Sequence, residues 1–247
     1  TKPSALLTVL ALELAIKGNL PTLYFILPSF NCSSVFPITA TSGDTGSAAV
    51  EAFKYSERAN LFILYPYERV SELQRKQMTT SNAKNVKVFA VQGTFDDCQL
   101  IVKELFADKA LVSDVNLSGV NSINWARILV QIIYYFSAFY QLKDFSAGKL
   151  SFSVPTGNFG DAYAGYISKK MGLPINKIIV ATNKNDILDR AFKTGVYKSD
   201  SVSKTLSPSM DIQVASNFER LLFDLLNNDT KEVRKLMNNL SKKGHFN

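Results

Sequence analysis

The amino-acid sequence predicts an α/β protein with a parallel sheet flanked by helices, and three observations carry that expectation. Past residue 38, short runs of β-branched and aromatic residues alternate with longer stretches of helical periodicity, the pattern of βαβ units. The turns between them are rich in Gly, Thr, Ser and Asp, which bend a chain and cap helices. The 247 residues are 46% apolar and 20% charged, which suits one large globular domain or two small ones.

Residues 5–12 form an apolar run broken by Glu13 and Lys17, shorter than the roughly 20 residues needed to cross a bilayer. A buried helix is expected there; a secretory leader would need a small-x-small cleavage site, which is missing. Residues 62–65 read as a strand closed by Pro66, and residues 86–91 as a second strand ended by Gly93. Thr94 and Asp96 are N-cap candidates for a helix carrying Leu100, Ile101, Leu105 and Phe106 at helical spacing. Residues 128–142 are apolar on nearly every side, so the expected helix is sunk between layers.

A strand at 152–154 leads through a glycine-containing turn into a helix that stops near Gly172, with Pro174 just beyond. Residues 177–181 form the next strand, and a helix over 186–192 ends near Gly195. The Ser- and Lys-rich stretch 197–210 is expected to be an exposed loop, followed by helices starting near Asn217 and Thr230. No internal repeat or low-complexity tract is visible, and residues 242–247 read as an interrupted end.

Lys and Arg exceed Asp and Glu by 28 to 21, a net charge of +7 that suits nucleic acid, an anionic membrane surface or phosphorylated small molecules alike. No basic stripe interleaved with aromatics is present, which argues against nucleic acid. Cys32 and Cys98 form no CxxC and lie far in sequence from His245, so neither a disulfide framework nor a zinc site is predicted, and a reducing, cytoplasmic setting is expected. With one histidine, a Ser-His-Asp triad has no centre. The lack of GxxxxGK[ST] argues against a P-loop nucleotide triphosphatase.

Three segments have the residue types for chemistry. Gly157, Asn158, Phe159, Gly160 and Asp161 lie between a strand and a helix, where glycines and a helix N-terminus can present N–H groups to a phosphate; a tight turn that binds nothing has the same pattern. Thr41, Ser42, Gly43, Asp44 and Thr45 gather hydroxyls, glycine and a carboxylate before the small-residue helix start Ala48-Ala49; they suit an anion or simple capping. Asn124 and Arg127, within Asn121 to Arg127, open an apolar helix, where Arg127 could pair with phosphate or with an internal acid.

Taken in order, ATSGDTGSAA at 40–49, ILYP-x-x-RVSELQ at 63–74, QMTT at 77–80, VQGTFDDCQ at 91–99, NSINWARI at 121–128, VPTGNFGDAYAGY at 154–166, ATNKNDIL at 181–188 and SPSMDIQVASNFERLLF at 207–223 resemble the threonine synthases. The resemblance covers about residues 39–247. It implies a pyridoxal 5'-phosphate enzyme, a lyase of fold type II (tryptophan synthase β-like). The reaction implied is conversion of O-phospho-L-homoserine and water to L-threonine and phosphate. By the same resemblance Gly157, Asn158, Phe159, Gly160 and Asp161 hold the cofactor phosphate, and Thr41, Ser42, Gly43, Asp44 and Thr45 face the substrate carboxylate and cofactor ring. Asn124 and Arg127 become candidates for the substrate phosphate.

Residues 1–38 match no part of the family pattern, and the string FHGPTxAFKD that carries its Schiff-base lysine does not occur. Before Thr41 the lysines are Lys2 and Lys17, in unrelated contexts. The resemblance therefore implies an internal piece of the family's chain, truncated at both ends, behind a foreign N-terminal segment. Three outcomes stay open: a synthase, an inactive binding module derived from one, and a related dehydratase acting on serine or threonine.

Overall fold

The structure is a computed structural model that describes residues 35–142 and 149–247. The described residues fall into two compact units, 35–124 and 125–247. The expected helix at 5–12, Cys32, Lys2 and Lys17 lie outside them. Among the described residues no helix is long and apolar enough to cross a membrane.

The first unit runs β1 (Phe36–Ala40), α1 (Asp44–Phe53), β2 (Leu61–Pro66), α2 (Glu72–Thr79), β3 (Val86–Val91), α3 (Phe95–Ala107), α4 (Lys109–Val115) and β4 (Leu117–Gly119). Its four strands are all parallel in the order β3-β2-β1-β4. Strand side chains alternate between faces, and β2 has a helix layer on each. Leu61, Ile63 and Tyr65 pack with Ala49, Val50 and Met78, while Leu64 packs with Ile38 and Cys98, bordered by Phe62, Ile101 and Leu105. Burial on both faces explains why this strand reads as an unbroken apolar run. Asn85 ties the α1–β2 connection to the start of β3 by donating from Nδ2 to the carbonyls of Phe53 (2.8 Å), Ser56 (3.0 Å) and Ala59 (2.8 Å).

Capping boxes set two helix starts. Ser71 and Gln74 close the first turn of α2, and Thr94 with Asp97 closes that of α3. Thr94, one of the two expected N-cap residues, takes the cap. Its backbone and side-chain hydrogen bonds hold the Asp97 carboxyl below its ordinary range.

The second unit runs α5 (Trp125–Leu142), β5 (Leu150–Pro155), α6 (Gly160–Lys170), β6 (Ile175–Ala181), α7 (Ile187–Thr194), β7 (Tyr197–Lys198), a 3-10 turn (Pro208–Met210), α8 (Phe218–Leu225), α9 (Thr230–Lys243) and β8 (His245–Phe246). β5 and β6 pair in parallel, β7 and β8 antiparallel. The core gathers Ile128, Ile132 and Tyr135 of α5 with Val154, Ala162, Leu188, Phe218 and Leu221.

Two sequence expectations are corrected. Helix α5 is not buried all round: Ile128, Ile132, Ile133 and Tyr135 face the core, whereas Leu129 is 41% exposed and Tyr134 63%. Its buried stripe follows i, i+4, i+7, a one-sided pattern hidden by apolar residues on the opposite face. The stretch 197–210 is not simply an exposed loop: Tyr197 is 2% exposed, stacked on Phe218 (centroids 4.9 Å) and Phe246 (5.0 Å), and β7 pairs with β8. Its partner β8 follows α9 through Gly244. Strands β1 and β4 and helices α2 and α4 go unread in the sequence; β4 has only three residues, and Met78 is the one buried apolar residue of α2.

Tyr197 gives this core a pH dependence. Burial pushes its phenol up to about 12 from an ordinary value near 10, while the hydrogen bond from the Ala215 N–H pulls the other way. Between pH 10 and 12 the unfolded chain loses this proton before the folded chain does, so stability is full below pH 10 and falls as pH rises, by about 3 kcal/mol for two pKa units. Tyr135, also pushed up by burial, acts in the same direction. Urea unfolding at pH 8, 10 and 11 should show the decline. Tyr197→Phe should show a shallower one, and should lose about 1–3 kcal/mol at pH 8 because the Ala215 N–H is left unpaired.

Candidate functional site

Two strand-to-helix turns, one in each unit, carry most of the polar residues singled out in the sequence. In the first unit, the chain leaves β1 and turns through Thr41, Ser42 and Gly43 into α1. Thr41 is 1% exposed, and its Oγ1 accepts from the N–H groups of Gly43 (3.0 Å) and Gly46 (2.9 Å). Gly43 sits at φ 137° and ψ −64°, a conformation that residues with a side chain avoid.

The space beside Gly43 belongs to Gln74, whose Cδ would lie 2.3 Å from a Cβ at that position. Gln74 Nε2 donates to Asp44 Oδ1 (2.6 Å), and its Oε1 accepts from the N–H (3.1 Å) and Oγ (2.9 Å) of Ser71. Thus the amide that completes the α2 capping box also braces the Thr41–Thr45 turn from behind. The S-x-x-Q signature of the cap is visible in the sequence, but the bond to Asp44, 30 residues away, is tertiary.

In the second unit, β5 leads through Thr156 and Gly157 into α6. Buried Thr156 donates from Oγ1 to Asp161 Oδ1 (2.5 Å) and accepts there from the Phe159 N–H (3.1 Å). Asp161 Oδ1 also accepts from the Ala162 N–H (2.8 Å), and the Asp161 carbonyl accepts from Tyr135 Oη (2.7 Å). The Asp161 carboxylate is therefore turned into the loop's own wiring. Phe159 is an anchor: its backbone adopts φ 66°, and its buried ring packs on Phe192 (6.1 Å) and Phe218 (5.6 Å).

These commitments leave the N–H groups of Gly157, Asn158, Gly160 and Asp161 without an acceptor among the described residues, at the positively polarised start of an 11-residue helix. A Cβ on Gly157 would fall 2.7 Å from the Ser209 carbonyl, so the backbone is packed closely from behind. Open amides at a helix start fit a phosphate, and a phosphorylated cofactor would be held here by main chain.

The third segment is divided. Asn124 ends the first unit, donating its N–H to the Asn121 carbonyl (3.0 Å), while Arg127 stands in the first turn of α5 in the second. Burial draws the Arg127 guanidinium below its ordinary value, with Tyr134 opposing. Among the described residues no cluster could hold a metal ion.

A family profile for pyridoxal-phosphate dependent enzymes matches residues 35–241. The chain belongs to this family. It is 53% identical over 198 residues to the threonine synthase of Pseudomonas aeruginosa, a match over 80% of this chain and 42% of that protein. With the Saccharomyces cerevisiae threonine synthase it shares 51% identity over 222 residues, 86% of this chain and 43% of that one. The crystal structure of pyridoxal-phosphate-bound threonine synthase from Brucella melitensis superposes at a TM-score of 0.80, with 47% identity, over 96% of this chain and 48% of that one. The chain spans about two-fifths of the length of the curated relatives it matches. The parallel α/β architecture is that of type II pyridoxal-phosphate enzymes, as the sequence resemblance implied.

Gly43→Ala should cost about 2–4 kcal/mol, from backbone strain and the collision with Gln74. In a double-mutant cycle read by urea unfolding, Gly43→Ala with Gln74→Ala should lose less than the sum of the single changes; strict additivity would mean that the two residues do not share this space. Thr156→Val should cost about 1–3 kcal/mol by leaving the buried Phe159 N–H without its acceptor.

Proposed function

We propose that this chain is part of a threonine synthase that uses pyridoxal 5'-phosphate to convert O-phospho-L-homoserine and water to L-threonine and phosphate, in the cytoplasm. The observation that carries the reading is the open-amide turn before α6, in a chain about 50% identical to named threonine synthases. The N–H groups of Gly157, Asn158, Gly160 and Asp161 bind the cofactor phosphate, aided by the α6 dipole. Phe159 holds the loop to the core rather than touching the ligand. When bound, the cofactor supplies a conjugated ring that accepts electrons from the substrate carbon next to the amino group.

Thr41, Ser42, Gly43, Asp44 and Thr45 orient the substrate carboxylate, with Thr41 and Gln74 keeping the turn in shape. Arg127, with Asn124, receives the substrate phosphate as a charge-assisted hydrogen-bond donor. The proton-transferring lysine of this chemistry is assigned to no position, because the family's lysine string does not occur in the sequence. A second reading is a binding module derived from the synthase.

Purified protein is mixed with pyridoxal phosphate, reduced with borohydride and digested, and labelled lysines are located by mass spectrometry alongside an assay of phosphate release from O-phospho-L-homoserine. One labelled lysine with phosphate release would support the synthase reading. Cofactor binding without release would support the binding module, and ketoacid formed from L-threonine alone would mean a dehydratase.

A further inference from the structure

Asn217 is fully buried, and nothing in the proposed reaction uses it directly. Its backbone N–H (3.0 Å) and Nδ2 (3.1 Å) both donate to the carbonyl of Asn158, the second residue of the open-amide turn. Its Oδ1 accepts from Arg220 Nε (3.1 Å), one turn along in α8. An amide whose nitrogen meets a carbonyl and whose oxygen meets a guanidinium can sit only one way round, so Arg220 sets the orientation of Asn217. Arg220 in turn lies over the ring of Trp125 (5.5 Å) in the first turn of α5. The neighbouring Ser216 donates from Oγ to Asn158 Oδ1 (3.0 Å), so both ends of Asn158 are held.

We propose that Asn217 is a positioning residue for the cofactor phosphate: by drawing the Asn158 carbonyl away from the mouth of the turn, and with Arg220 keeping its amide in register, it holds the peptides of the turn so that their N–H groups converge. The inference rests on the pyridoxal-phosphate reading and adds to it the residue pair that shapes the phosphate subsite. Without Nδ2 the Asn158 carbonyl keeps the Asn217 N–H bond but loses its second donor, so it is held less firmly and can tilt its partial negative charge toward the dianion; the consequence falls on the phosphate-dependent part of the affinity.

The test compares pyridoxamine 5'-phosphate with pyridoxamine, which differ by the phosphate and need no lysine, by fluorescence titration of the full chain. In the unsubstituted protein the phosphate should tighten binding at least tenfold. Asn217→Ala, which removes the Nδ2 bond and keeps the backbone one, should lower that ratio at least threefold, with pyridoxamine affinity within twofold of its original value. Arg220→Met, which keeps side-chain length and removes the donor, should lower the ratio less, in the same direction. Circular dichroism melts identify which variants are folded at the titration temperature, and Arg220→Met supplies the reading if Asn217→Ala does not fold. A ratio near one in the unsubstituted protein overturns the cofactor reading and this inference together. A preserved ratio in a folded variant overturns this inference alone.

Discussion

The constraint behind the turn before α6 is that a backbone with N–H groups left open must be held by something other than those N–H groups. Buried amides ordinarily find internal partners, and a turn left to relax would direct them inward. Here side chains hold the turns instead. Thr41 Oγ1 ties Gly43 to Gly46, while Thr156 Oγ1 joins the Phe159 N–H to the Asp161 carboxylate. The hydroxyls take up other amides of the turns, and those of Gly157, Asn158, Gly160 and Asp161 stay open among the described residues.

Each turn is also braced from a distant part of its own unit. Gln74 reaches across 30 residues to Asp44, and Asn217 meets Asn158 from 59 residues away. Both are carboxamides, which donate and accept at once and carry no charge to compete with a bound anion. A second polar net joins Asn183 and Asn185 to Asp211 and fastens the stretch that contains Ser209, whose carbonyl backs Gly157. The Ser- and Lys-rich stretch thus has a structural task that its composition does not suggest.

The apolar core makes this polar wiring possible. Phe159 enters the core with Phe218, and Phe218 stacks on Tyr197, so the residue after Asn217 and the residue after Asn158 share one aromatic cluster. Side chains of that size contribute about 1.5–3 kcal/mol each on burial, more than a typical hydrogen bond contributes. The core brings the two segments together; the hydrogen bonds then select the conformation of the turn.

From the sequence alone come the α/β class, the parallel strands β2, β3, β5 and β6, and the glycine-bearing turns before α1 and α6, because periodicity and turn chemistry are local properties. The ordered strings likewise determine the family. Tertiary structure decided that α5 buries one stripe, that Tyr197 is sealed in a core, and that Gln74 and Asn217 brace the two turns. It also decided that Asp161 turns its carboxylate inward and that Phe159 is an anchor. These outcomes depend on partners far away along the chain, and a residue's hydrogen-bonding capacity is written in its side chain while its partner is chosen only when the core closes.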